Sequence, residues 1–315
     1  MKLIKEFLSD LLVLLLPKIN NKKELLIFLV HPRDEADMFA KAPFLKKLNK
    51  PLLRLFERLM WPVTVAPIKK KSDVIGYVIS TPCTAKTMLH DRKLAKRKIK
   101  QALKLGYKKG GKIAALGALT ASLTYGGKDI YDGKISITTG HAYTVFNINN
   151  ILRHIIRDLN LDVESLNLAI VGAAGSIGAG SARLAAGMGF NKITLIDLIH
   201  KKDRVMKLLE ELQSQYPKLN IVYKDTLDDI KEADVLITAT NHPDALVSKK
   251  HIRPPLIIID DAQPSDIAKD VFDTDGVLVL EGGAAHTPRV NIPFPLGLCH
   301  KNDNFSCMAE SLLLF

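Results

Sequence analysis

Along the C-terminal half of the chain, short aliphatic runs alternate with stretches of helical periodicity. The runs are LNLAIVG, KITLID, IVYKD, ADVLITAT, LIIIDDA and VLVLEGG, and ARLAAGMGF and RVMKLLEELQSQY separate the first three. Runs of Val, Ile and Leu without polar alternation belong to strands covered on both faces, and their alternation with amphipathic helices belongs to βαβ units. This half is therefore expected to be an α/β, Rossmann-type doubly wound parallel sheet.

The first half places LLIFLVH, VTVAPI, VIGYVIST, KIAALGA and ISITTG around a helical stretch from Ala85 to about Tyr107. A second, N-terminal α/β domain is expected there, with its topology left open. Val145, Ile148, Leu152, Ile155 and Leu159 then recur at helical spacing, predicting an amphipathic helix that bridges the two halves. The boundary is set near Leu161. Residues 1–160 are expected to form a substrate or partner domain, and 161–315 an NAD(P)-binding domain ending in a cysteine-bearing helix. A length of 315 residues suits two such domains.

The apolar run Leu11 to Leu16 is too short to cross a bilayer, and Glu6 and Asp10 argue against a secretory signal. An ordinary packed helix is expected, with an amphipathic helix lying on lipid as the alternative. Cys83, Cys299 and Cys307 form no CxxC pair, so neither a disulfide framework nor a metal site is expected, and the cytoplasm is the default compartment.

Charge divides the chain unevenly. Residues 1–160 hold 30 Lys and Arg against 12 Asp and Glu, whereas the remainder holds 15 against 21. Ten of the basic residues fall between Arg92 and Lys112. Such a run attracts nucleic acid, an anionic membrane or an acidic protein, or is simply a solvated helix face.

A nucleotide site is marked by GAAGSIG between the strand LNLAIV and the helix SARLAAGMG. Gly172 permits the tight turn, Gly175 lets the backbone approach a pyrophosphate, and Gly178 lets the helix pack close to the sheet. The expected cofactor contacts are Gly172, Ala174, Gly175, Ser176, Ile177 and Gly178, with amides at the helix N-terminus facing the phosphates. Asp197 ends the second strand, where a carboxylate accepts from ribose hydroxyls and favours NADH. His200, Lys201, Lys202 and Arg204 follow and would suit a 2′-phosphate. Thr240, after the fourth strand, and Gly282-Gly283, after the sixth, are expected on the ligand edge.

Together these segments resemble the long-chain acyl-[acyl-carrier-protein] reductases, the aldehyde-forming enzymes of cyanobacterial alkane synthesis. The resemblance rests on HPRD at His31, CTAKTML from Cys83, LGALTAS from Leu116, ITTGHAYT from Ile137, VGAAGSIG from Val171, EGG at Glu281 and FSCMAESLLLF from Phe305. It implies NADPH as cofactor and reduction of a fatty acyl thioester, on acyl carrier protein or coenzyme A, through a cysteine acyl-enzyme. Asp197-Leu198 stands where that family tends to carry an arginine. The resemblance makes acyl carrier protein a candidate occupant of the basic first half; peripheral membrane contact is the other candidate, and nucleic acid is not expected.

The matching CMAE assigns the nucleophile to Cys307. Asn304 or Ser306 is expected to cap the helix that it opens, and a helix N-terminus favours thiolate. Cys299, with His300 beside it, is the alternative nucleophile, and Cys83 is expected to be structural. Thr138, Thr139 or the amides around Gly140 are candidate oxyanion donors. His141 is the candidate proton carrier, and Glu310 either orients a partner or caps the helix. Two other function classes stay open: a shikimate-dehydrogenase-like oxidoreductase in which Cys307 only packs, and a nucleotide-binding interaction protein without catalysis.

Overall fold

A computed structural model describes residues 2–16, 23–242, 244–293, 297–298, 300 and 302–315. The chain divides into two compact units, Met1–Gly140 with Ala285–Phe315, and His141–Ala284.

The first unit is built on β1 (Leu25–Val30), β2 (Val63–Lys70), β3 (Asp73–Ser80), β4 (Gly111–Leu116) and β5 (Ser136–Thr138). Across the sheet the order is Val290–Asn291, β2, β3, β1, β4, β5. β3, β1, β4 and β5 run parallel, while β2 pairs antiparallel with β3. β1 is central and buried from Leu25 to Leu29, which is why its sequence shows no alternation. β2 alternates buried and half-buried positions, as a strand with one covered face does. One face of the sheet presents Ile27, Leu29, Ala114 and Leu116 to Leu94, Ala95, Ile99, Ala102 and Leu105 of the helix Arg92–Lys108. The other face presents Leu26, Phe28, Ala66, Val78 and Ala115, and Met308 of the helix Ser306–Leu314 is buried against them.

That packing corrects the expected domain boundaries at both ends. The cysteine-bearing helix belongs to the first unit, because the second face of that sheet is apolar and needs a cover. Burying a side chain such as Met308 there contributes about 1.5–3 kcal/mol. The apolar face of the helix His141–Asp158, expected at the junction of the halves, packs within the second unit. Its Ile148, Leu152 and Ile155 join Leu168, Ile170 and Ile259 in the core of the second unit, which therefore begins at His141 rather than near Leu161.

The second unit holds β6 (Asn167–Val171), β7 (Lys192–Ile196), β8 (Asn220–Lys224), β9 (Val235–Thr238), β10 (Leu256–Asp260) and β11 (Val277–Glu281). All pairings are parallel and the order is β8-β7-β6-β9-β10-β11. This is the Rossmann order, whose topological switch falls between β6 and β9. Leu168 and Ile170 bury on one face, and Ala169 and Val171 on the other, so the doubly wound sheet is as expected. Among the described residues no helix is long and apolar enough to cross a membrane.

Candidate active site

In the second unit the glycine loop lies at the switch point. Gly172 has φ +88, and a Cβ there would meet the Ala239 carbonyl oxygen at 2.5 Å. A Cβ on Gly178 would lie 2.3 Å from the Gly172 oxygen. The packing of the loop itself therefore demands both glycines. Gly175 differs: it is exposed, and the nearest atom to its Cβ position is the Gly172 oxygen at 3.1 Å. It caps the helix Ser176–Ala186 without a side-chain bond, and no group among the described residues accepts from the amides of Ser176 and Ile177. An exposed, side-chain-free helix N-terminus at a switch point fits the pyrophosphate of a dinucleotide.

Asp197 holds this loop in place. Its Oδ2 accepts from the Ala174 amide at 2.8 Å, and its Oδ1 accepts from the Leu198 amide at 2.8 Å and pairs with Lys201 at 3.2 Å. Lys201, one of the cations suited to a 2′-phosphate, is thus engaged with the carboxylate. Thr240 likewise turns to a neighbour, donating from N and Oγ1 to Asp266 at 3.1 and 2.6 Å. His141 opens the helix His141–Asp158, and its Nδ1 lies 2.7 Å from the Ser176 hydroxyl. The expected cofactor residues and His141 are accordingly gathered at one loop. Asn147, on the same helix, donates to the carbonyls of Gly282 and Ala284 and ties it to the end of β11.

A carboxylate cluster beyond β10 was not singled out from the sequence, although DDAQPSD contains it. Asp260 accepts from Thr238 at 2.7 Å and Ser265 at 2.5 Å, yet burial still raises its pKa. Burial, then the charges of Asp260, Asp266 and Glu281, lift Asp261 well above the usual range. Burial pushes Asp266 from the ordinary 3.8 up to about 6. Between those two values the folded chain keeps a proton that the unfolded chain has lost. Stability is then expected to fall as pH rises through this window, by on the order of 3 kcal/mol from Asp266 alone. Urea midpoints measured from pH 4 to 6.5 should show the decline, and Asp266→Asn should flatten it; an unaltered slope in that variant would refute the assignment.

In the first unit the two most particular sequence motifs meet. Cys307 is the second residue of the helix Ser306–Leu314 and is half-buried. Gly140 has φ +71, and a Cβ there would lie 2.1 Å from the Cys307 Cα and 2.4 Å from its Cβ. The backbone of TTG therefore rests directly on the backbone of the cysteine, an approach that only glycine permits. Thr138 accepts from the Gly140 amide at 3.2 Å and donates its hydroxyl hydrogen to the Glu310 carboxylate. Glu310 lies three residues after Cys307, on the same side of the helix. The capping expectation is corrected: the N-cap is Phe305, without a side-chain bond. Ser306 is already helical, and the buried Asn304 donates instead to Thr287.

Two further motif pairs close around structural tasks. Cys83 is buried, and desolvation with the charge of Glu57 pushes its thiol up to about 12. Glu57 accepts from the Thr84 amide at 2.9 Å and the Thr87 hydroxyl at 2.8 Å, so CTAKTML is anchored at a helix start. His31 is buried, and its Nε2 accepts from the Leu119 amide at 3.3 Å, joining HPRD to LGALTAS. Burial lowers its pKa and keeps the ring neutral. Cys299, the alternative nucleophile, lies outside the described residues. Among the described residues no group of three His, Cys, Asp or Glu side chains stands ready for a metal.

Comparison with known proteins adds three findings. A family model described as shikimate / quinate 5-dehydrogenase matches residues 154–281. Two curated relatives are the aminotransferase PigE of a Serratia species, 26% identical over 243 residues, and the long-chain acyl-[acyl-carrier-protein] reductase of Synechococcus elongatus, 27% identical over 242. The first match covers 76% of this chain but only 28% of the aminotransferase, and the second covers 70% of this chain and 67% of the reductase. A shikimate 5-dehydrogenase from Listeria monocytogenes, solved with shikimate and NAD, is 14% identical over 84% of this chain and 90% of that one, with a TM-score of 0.39. The second unit is a Rossmann-type NAD(P)-binding domain, similar over residues 154–281 to the shikimate / quinate 5-dehydrogenase model.

Proposed function

We propose that the chain reduces a long-chain fatty acyl thioester, presented on acyl carrier protein or coenzyme A, to the fatty aldehyde. The reductant is NADPH or NADH, and Cys307 carries the acyl group. The observation that supports this most is the close approach of Gly140 to Cys307, with Thr138 bonded to Glu310 one helical turn away. It joins TTG to CMAE around a half-buried thiol, whereas Cys83 is held protonated by burial.

In the first step the Cys307 thiolate attacks the acyl carbonyl. A new C–S bond forms, the bond to the carrier sulfur breaks, and the carrier leaves as a thiolate that takes a proton. One thioester replaces another, so the exchange is close to balanced. The positive end of the Ser306–Leu314 helix favours both the thiolate and the oxyanion of the attack. The Gly140 amide donates to Thr138, and the proposed oxyanion donors are the start of this helix and Thr139. Thr138 and Gly140 fix the helix that carries the thiol. His141, held by Ser176, is the proposed carrier of the proton. A bound reduced nicotinamide supplies the hydride that converts the acyl carbon to aldehyde and returns the Cys307 thiolate.

Cofactor binding is assigned to the loop Gly172 to Gly178. Gly175→Val should weaken the fluorescence titration of a reduced cofactor at least about tenfold, or 1.4 kcal/mol. The position is exposed, and the Gly172 oxygen, 3.1 Å from the new Cβ, has to give by only a few tenths of an ångström, so the fold should survive, which circular dichroism checks. Equal enhancement in variant and native protein would remove the site. Asp197 and its pairing with Lys201 favour NADH, the resemblance favours NADPH, and parallel titrations discriminate them.

A second reading follows from the shikimate / quinate 5-dehydrogenase match over 154–281. In it the chain interconverts a hydroxyl and a ketone on a small acid, and Cys307 only packs. Both readings are tested in one experiment, by assaying aldehyde release from palmitoyl-coenzyme A beside oxidation of shikimate and quinate, before and after thiol alkylation. Aldehyde release abolished by alkylation supports the acyl-enzyme. Shikimate or quinate oxidation insensitive to alkylation supports the alternative.

A further inference from the structure

We propose that the face of the first unit formed by the helices Lys2–Leu15 and Arg92–Lys108 binds an anionic lipid bilayer. Leu8, Leu12, Leu15 and Leu16 are 53%, 60%, 75% and 52% exposed, and their spacing places them on one stripe. The other side of that helix is anchored. Asp10 is buried, accepts from the Thr64 amide at 2.6 Å and pairs with Lys109, while Val13 and Leu14 pack on the core. The leucine stripe is thus presented by a helix fixed in place.

Beside it runs a stripe of cations. Lys93, Arg97, Lys100 and Lys104 are exposed on Arg92–Lys108, and with Trp61 they line a groove of about 550 Å³. Lys96 on this face is already paired with Asp129, and Lys98 is buried, donating to the Met60 carbonyl. Lys93, Lys100 and Lys104 have no acidic partner among the described residues. The two stripes meet where Lys108 donates to the carbonyl of Leu16.

This pairing selects among partners. An acidic protein or a nucleic acid would neutralise the lysines and leave four leucines in water. A second copy docked by two-fold symmetry would set the cationic stripe against itself. A bilayer with anionic headgroups meets both stripes at adjoining depths, leucines in the acyl boundary and lysines at the phosphates. The Trp61 indole suits the headgroup level. Attachment of this face is independent of which substrate the thiol accepts.

The test is flotation of the full chain with vesicles of pure phosphatidylcholine, and with vesicles of equal parts phosphatidylcholine and phosphatidylglycerol. Binding is expected only to the second, and to weaken with salt. Lys93→Ala/Lys100→Ala/Lys104→Ala should weaken it roughly a hundredfold, and Leu12→Gln/Leu16→Gln at least about tenfold. Unchanged circular dichroism and cofactor fluorescence would show that both variants stay folded. Three outcomes would each overturn the proposal. They are no flotation at low salt, leucine variants that bind as the native chain does, and binding of these lysines to acyl carrier protein without any binding to vesicles.

Discussion

Replacing Cys307 by alanine should abolish aldehyde formation while leaving cofactor binding unchanged. If the thiol carries the acyl group, its loss removes the covalent path altogether, and a fall of about four orders of magnitude in kcat is expected. The structural penalty is small. Cys307 is half-buried at the edge of the core around Met308, and shortening such a side chain destabilises by on the order of 1 kcal/mol. Melting temperature and fluorescence of bound reduced cofactor should therefore stay near the native values. Reduction of acyl thioesters at the native rate by Cys307→Ala would require the mechanism to be given up.

Gly140→Ala is expected to act on the same chemistry through the fold. The new methyl would sit 2.1 Å from the Cys307 Cα and 2.6 Å from its carbonyl oxygen, at φ +71. Neither neighbour is a flexible side-chain tip, so the helix Ser306–Leu314 has to shift, and Met308 with it. Backbone strain adds about 1–2 kcal/mol, and the displaced packing brings the expected destabilisation to roughly 2–5 kcal/mol. Gly133→Ala is the control, because Gly133 also has positive φ, +77, but nothing lies within 4 Å of its Cβ position. It should show the strain alone and keep full activity. Equal losses of stability and activity in the two variants, measured by urea unfolding and aldehyde assay, would show that the contact with Cys307 has no particular role.

The second unit was legible in the sequence because its signals are local. Uninterrupted aliphatic runs such as LIIIDD reflect burial on both faces, and a glycine loop between strand and helix marks the switch point without reference to distant residues. The first unit was not legible to the same degree, because its closure is non-local. The helix Ser306–Leu314 returns to a sheet whose strands β1 to β5 all lie before residue 140, and no period along the chain records which sheet Met308 will cover. The helix His141–Asp158 had a readable apolar face, but its partner, the β6 and β10 side of the Rossmann sheet, did not. Side-chain partners were harder to read than the strands. Asp197 also takes the Ala174 and Leu198 amides and Lys201, contacts that its place at a strand end does not announce. The capping expectation failed because Asn304 faces Thr287 instead. The contact of TTG with CMAE left one trace in the sequence, a glycine at 140, and only the positive φ and the Cys307 backbone explain why it must be glycine.

The acyl-enzyme itself is the most direct test. Native protein incubated with palmitoyl-coenzyme A without reductant should gain the mass of one palmitoyl group, located by peptide mapping on Cys307. The adduct should discharge as aldehyde when reduced cofactor is added. No added mass, or an adduct that maps to Cys83 or Cys299 and persists in Cys307→Ala, would contradict the account.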